Sequence, residues 1–226
     1  MRSPIRLILK RPGILLPVFF LSQCYLSAES QVQMPEAASL ALGGCFVCLQ
    51  ANMCSSQNQA GLGFMEQSSI SIQHGMPYML KELGVSSLSG QFISGKGAFG
   101  LALTTLGLRG FRQNSLWLAY GLKLHSNISA GAGLHFWSSS ITEQYIYAPG
   151  ISFALGLQIK FQDNWQLGAR IFHPTAWSAQ IKLPQSQLMS IETGFSYSFF
   201  KAAIIYSELH VKPGAYFMLC SGIEWI

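Results

Sequence analysis

Residues 151–161, ISFALGLQIKF, set a large apolar side chain at every odd position and a small or polar one at every even position. Successive side chains of a β-strand leave the backbone on opposite sides. The segment is therefore a strand with one oily face and one face that accepts Ser, Gly, Gln and Lys. What restricts the fold is that the pattern recurs along the chain. Gly97–Leu108 sets Phe99, Leu101 and Leu103 against Ala98, Gly100, Ala102 and Thr104, with a register switch expected near Thr104-Thr105 of the kind a β-bulge makes. Ser115–His125 opposes Leu116, Leu118, Tyr120, Leu122 and Leu124 to Trp117, Ala119, Gly121 and Lys123. Asn127–Trp137, Trp165–Phe172, Gln187–Phe199, Lys201–Val211 and Tyr216–Ile226 repeat the alternation, and Gln67–Met76 and Leu83–Ser94 carry weaker versions. The count is about ten strands, or eight if the first two are mispaired.

The connections alternate as well. Tight turns are expected at Gly95-Lys96, Ser126, Gln162-Asp163-Asn164 and Phe200-Lys201, and longer loops between them, notably Ser138–Gly150 and His173–Ser186. Segments of about ten alternating residues, joined by short turns on one side and longer loops on the other, describe a bacterial outer-membrane barrel. A soluble sandwich offers the same alternation but needs a densely charged outer face. Here only 10% of residues are charged and 50% are hydrophobic, against roughly a quarter charged in ordinary soluble domains. The faces opposite the oily stripes carry single charges: Lys123, Lys160, Arg170, Glu192, Glu208 and Glu224. Three bases and three acids suit a narrow polar lumen in which charges pair and side chains fill the interior. Aromatic residues near strand ends (Trp117, Trp137, Tyr145, Tyr147, Trp165, Trp177 and Trp225) suit interfacial girdles. The expected fold is an all-β, transmembrane, antiparallel up-and-down barrel of 8–10 strands over residues 66–226. In it the odd residues of 151–161 face lipid, so Leu155→Arg should be costly and Gln158→Arg tolerated.

The N-terminus reads as a secretory signal peptide over residues 1–28. Arg2, Arg6, Lys10 and Arg11 precede the apolar stretch Gly13–Leu21, and Ser27-Ala28 offers a small-residue cleavage point. Without it the chain keeps ten Lys and Arg against nine acids, a net charge of +1. The basic balance therefore belongs to the export signal, and a nucleic-acid partner is unsupported. Within the N-terminal segment 29–65, residues 29–36 read as a short polar lead, and residues 37–65 differ from the alternating segments. Rich in small residues, without alternation, and carrying Gly43-Gly44, they read as a partly helical, plug-like segment that ends in a turn at Asn58-Gln59-Ala60-Gly61.

Chemical motifs are sparse. Cys45-Phe46-Val47-Cys48, with Cys54 beyond, lacks the four ligands of a zinc site and the βαβ setting of a thioredoxin motif. These cysteines read as small structural residues, with a disulfide open to them in an oxidising compartment. The five histidines form no local ligand pair, and no G-x-S-x-G elbow occurs. No cofactor, metal or catalytic residue is expected, and the protein reads as a non-enzyme.

Ser39-Leu40-Ala41-Leu42-Gly43-Gly44-Cys45-Phe46-Val47, followed by the turn Asn58-Gln59-Ala60-Gly61-Leu62, resembles the N-terminal segment of the PorV/PorQ family, relatives of the FadL-type fatty-acid transporters of outer membranes. Gln59 stands where the family has proline, and Ser55-Ser56 where an acidic residue is common. Phe172-His173-Pro174-Thr175, Gly194-Phe195-Ser196-Tyr197 and Gly222-Ile223-Glu224-Trp225 extend the likeness toward the C-terminus. The resemblance implies a Bacteroidota outer-membrane barrel with residues 37–65 packed inside or below it, and Gly43, Gly44, Asn58, Ala60 and Gly61 as the plug and turn motif. It also implies a role as accessory subunit of a larger outer-membrane complex, as in type IX secretion, with membrane lipid and other envelope proteins as partners. The alternative is a small FadL-like porin for hydrophobic or small solutes, gated by residues 37–65.

Overall fold

A computed structural model describes residues 36–49, 54–107, 110–141, 146–162, 164–173, 177–178, 189–199, 202–212 and 216–225. The expected signal peptide, the lead up to residue 35 and most of the loop from His173 to Ser186 lie outside these residues. So do the side chains of the expected girdle residues Tyr145, Tyr147 and Trp177.

A short helix, α1 (Ala37–Ala41), and a 3-10 turn (Gln59–Phe64) belong to the N-terminal segment. The strands come next: β1 (Ser69–Gly75), β2 (Val85–Ser94), β3 (Gly97–Leu106), β4 (Phe111–His125), β5 (Ile128–Ile141) and β6 (Ile146–Phe161). Then come β7 (Trp165–Phe172), the two-residue β8 (Trp177–Ser178), β9 (Ser190–Phe199), β10 (Ala203–Lys212) and β11 (Tyr216–Trp225). They form one antiparallel sheet in which ten strands pair in chain order from β1 to β11, with β8 set off this path against β6. Each strand thus finds its partner across the nearest turn, as an up-and-down meander does. The turns expected to be tight are tight. Gly95-Lys96 joins β2 to β3, Ser126-Asn127 joins β4 to β5, Gln162–Asn164 joins β6 to β7, and residues 200–202 join β9 to β10. They share one end of the sheet with the start of β1 and the end of β11.

The burial of the two faces is inverted relative to a soluble domain. Ile70, Phe99, Leu118, Leu134, Leu155, Leu167, Phe195, Ile205 and Leu219 point outward and are exposed, and exposed large apolar side chains outnumber buried ones among the described residues. The opposite face is buried and carries Ser87, Ser89, Gln91, Thr104, Ser129, Gln158, Arg170, Glu192, Ser196 and Glu208. Leu155 is 51% exposed while Gln158 is 0% exposed, so Ile151–Phe161 is oily side out. The outward residues of β1 and β11 are the barest, Ile72 at 80% and Phe217 at 79%, because each of these strands has a neighbour on one side only.

Three expectations about the strands do not hold. No register shift occurs at Thr104-Thr105: β3 pairs regularly with β2 and β4 along its length, with Thr105 outward and Leu106 buried. The interior near that end is itself apolar, with Ala102, Trp117, Ala154 and Phe172 clustered there, so an inward leucine needs no bulge. The one irregularity of the β4–β5 ladder lies instead at Lys123/His125. Second, Ser138–Gly150 is for the most part strand: β5 and β6 continue to Ile141↔Ile146, with Ser138↔Pro149 and Ser140↔Tyr147 paired. Third, Trp117 is not a girdle residue; it is 1% exposed and faces inward. Trp137 shares that inward parity and lies over Gly150 across the β5–β6 pair. Trp165 and Trp225 do face outward at the tight-turn end, where Phe99 meets Tyr120 with ring centroids 4.7 Å apart and Trp165 meets Tyr197 at 4.4 Å.

Candidate functional site: the N-terminal segment and the polar face that holds it

The buried face of the sheet wraps the N-terminal segment. Glycines admit it: a Cβ at Gly121, Gly131 or Gly133 would meet Gln59, one at Gly156 would meet Asn58, one at Gly168 would meet Val47, and one at Gly222 would meet Leu42. These glycines lie on β4, β5, β6, β7 and β11, toward the tight-turn end. Strand positions without a side chain are where another backbone can approach closely. The segment makes its own bends at Gly43 and Gly44, whose φ values of +68 and +91 lie in the left-handed region. A Cβ at Gly43 would also stand 2.6 Å from the Ser221 carbonyl oxygen.

Polar side chains then fix the segment's backbone, whose N–H and C=O groups need partners once buried. The Glu208 carboxylate accepts from three successive backbone N–H groups: Phe46 at 2.9 Å, Val47 at 2.7 Å and Cys48 at 3.4 Å. His210 Nε2 stands 3.1 Å from Glu208 Oε2. The Val47 carbonyl accepts from Asn58 Nδ2 and from Gln158 Nε2, both at 2.7 Å. Asn58 also caps the 3-10 turn, its Oδ1 accepting from the Ala60 N–H at 3.1 Å. Ser129 Oγ donates to the Ala60 carbonyl at 2.6 Å. Gly61 packs so closely on Cys54 that a Cβ there would lie 2.7 Å from its Sγ. Gly43, Gly44, Asn58, Ala60 and Gly61 therefore shape and dock the segment.

Of the six charges expected inside, three are buried, Lys160 is half-buried, and Lys123 and Glu224 are exposed. The buried three are Arg170, Glu192 and Glu208. Arg170 Nη1 pairs with Glu192 Oε2 at 3.5 Å, and its Nη2 donates to the Ser56 carbonyl at 3.3 Å. Its guanidinium also lies 5.5, 5.7 and 5.1 Å from the rings of Phe46, Trp117 and Phe172, joining the segment to an aromatic layer beyond it. Lys160 and Lys123 sit nearer the tight-turn end, their Nζ atoms 4.3 and 5.9 Å from the Phe64 ring centroid. Glu224 is exposed and accepts from Tyr206 Oη at 2.8 Å. The charges do not form a continuous line; each is engaged by the segment, its anchors or a neighbouring strand.

On the far side of Arg170 lies a layer of aromatic and imidazole rings. His135 stacks on Trp117 at 4.3 Å, and Phe172 lies 5.6 Å from Trp117 and 5.9 Å from both His135 and His173. Both ring nitrogens of His135 and of His173 find no hydrogen-bond partner among the described residues. Among the described residues no group of three or more His, Cys, Asp or Glu could hold a metal ion. The four cysteines there are buried thiols. Burial above all, then the nearby Glu208 charge, pushes the Cys45 and Cys48 thiols upward, so both stay protonated.

Comparison with protein-family models, curated proteins and solved structures found no match for this chain. Its function is therefore argued from the geometry. The sequence pattern puts Gln158, Ser129 and Trp117 on the small-residue face, where they are indeed buried, but it does not reveal that Gln158 and Ser129 hold the N-terminal segment or that Trp117 stacks on His135. The signal for Gln158 was present, an amide between Gly156 and Lys160 on the small-residue face. Arginine at 158 no longer reads as tolerated, because the site is fully buried and its amide holds Val47.

Proposed function

We propose that the chain is a ten-stranded outer-membrane β-barrel, closed where β1 meets β11 and filled by its own N-terminal segment. It would act as a non-enzymatic accessory subunit of a larger envelope complex, of the kind found in type IX secretion. The single observation that carries this reading is the inverted burial: an apolar outer face around a polar interior occupied by residues 39–49 and 54–64. Soluble monomers rarely expose contiguous apolar patches beyond a few hundred Å². Lipid removes that cost, and closure pairs the edges of β1 and β11 that would otherwise stay open in the bilayer. The aromatic residues gathered outside the tight-turn end suit a membrane interface. The likeness of Ser39–Val47 and Asn58–Leu62 to the PorV/PorQ family supports the subunit role.

A filled interior favours this role over the small uptake porin. Side chains from β5, β6, β7 and β10 hold the segment's backbone, and the Trp117–His135–Phe172 layer lies beyond it. Extraction in mild detergent followed by mass spectrometry tests the subunit role: a co-purifying envelope protein is expected, and migration of the chain alone contradicts it. In planar bilayers the full chain should be electrically silent; steady current from it would favour the porin.

A further inference from the structure

Three cysteines meet where the N-terminal segment touches the last two strands. Cys45, Cys48 and Cys220 belong to one buried cluster with Leu42, Leu49 and Tyr206. Cys220 lies on β11 directly across from Glu208, whose carboxylate holds the backbone of residues 46–48. A Cβ at Gly44 would lie 3.5 Å from Cys220 Sγ, so Cys45, the next residue, starts beside that sulfur. Cys45 is also within electrostatic reach of Cys220. Cys48 turns elsewhere, its Sγ directed at the Gln166 carbonyl of β7 at 3.7 Å.

We propose that Cys45 and Cys220 are a disulfide-forming pair that fastens the N-terminal segment to the last strand. The pairing rests on the docking geometry, and its use in the cell rests on the envelope reading above. The oxidant is a disulfide donor, either glutathione disulfide or an envelope dithiol–disulfide oxidase. One cysteine thiolate attacks the donor's S–S bond, forming a mixed disulfide and releasing one donor thiol. The second cysteine thiolate attacks the mixed disulfide, forming the Cys45–Cys220 bond and releasing the second donor thiol. Two protons and two electrons leave the protein and reduce the donor. Cys45 is 0% exposed and Cys220 4% exposed once the segment is seated. The exchange therefore belongs to assembly, and the finished bond is shielded from reductants. Joining residue 45 to residue 220 also ties the segment to the strand farthest from it in sequence.

The test folds the full chain in detergent micelles in a glutathione redox buffer, traps remaining thiols with N-ethylmaleimide, and maps linkages by non-reducing digestion and mass spectrometry. A linked peptide pair containing Cys45 and Cys220, lost on reduction, is expected, with Cys48 and Cys54 alkylated. A Cys45–Cys48 link, or alkylation of both Cys45 and Cys220, overturns the proposal. Cys220→Ser should remove the link and raise the rate of proteolysis within residues 39–64 several-fold under oxidising conditions, with no difference from the parent chain under reducing ones. The micelle experiment does not depend on where the chain resides, whereas cell fractionation tests the envelope reading separately.

Discussion

Glu208 shows how one residue on the polar face holds the N-terminal segment. Removing its carboxylate by Glu208→Ala leaves the buried N–H groups of Phe46 and Val47 without their acceptor. Hydrogen bonds to a charged group are worth about 1.5–3 kcal/mol each, so a loss on the order of 3 kcal/mol is expected in urea unfolding from micelles, together with faster proteolysis of residues 39–64. Gly131 makes the complementary case. Its missing side chain is the space taken by the backbone of Gln59 and Ala60, so Gly131→Ala should cost about 1–3 kcal/mol as an overpacked contact, read as a lower unfolding midpoint. His135 has the opposite sign: its buried ring nitrogens lack partners among the described residues while its ring stacks on Trp117. Replacing an unpaired polar group by an apolar one of similar shape is near neutral or stabilising. His135→Phe should therefore leave the thermal midpoint unchanged or raised; a marked drop would reveal a partner for the imidazole. These residue roles were only partly legible. Glu208 and Arg170 stood out as lone charges on small-residue faces, but which backbone groups they hold depends on a segment more than a hundred residues away. Trp117 was misplaced because a tryptophan reads as interfacial until the His135 ring opposite it is known.

At the scale of elements, period-two alternation located ten strands because their outward sides are continuous runs of large apolar residues. It failed where interior and exterior are both apolar, as at Leu106, and where a hairpin is built from residues that read as loop. Residues 138–141 and 146–149 include three successive serines and a proline, and they become strand because β5 and β6 face one another across that stretch. The N-terminal segment was recognisable by its glycines and its missing alternation, and its docking emerged from the glycines of β4 to β7 only once the strands were paired. The strand face gives the sharpest prediction here. Leu155→Arg places a charge amid the outward apolar band, where such substitutions cost about 2–4 kcal/mol at the midplane. It should block insertion into vesicles or lower stability by that amount, measured by cold-gel mobility and by urea titration.

The whole molecule joins an apolar exterior to an interior that its own chain fills. A polar interior and an oily surface destabilise a protein in water, and both become favourable when lipid is the solvent. Removing residues 37–65 would empty the tight-turn half of the interior; the truncated protein should then conduct in planar bilayers where the full chain does not, and continued silence would mean that other groups close the path. The measurement closest to the central claim is collision accessibility of a nitroxide attached at Leu155→Cys in reconstituted protein, with Lys96→Cys in a tight turn as reference. The expected result is a Leu155 label relaxed by lipid-soluble oxygen and shielded from a water-soluble nickel chelate, with the reverse at Lys96. A Leu155 label relaxed chiefly by the nickel chelate would contradict the assignment of the oily face to lipid.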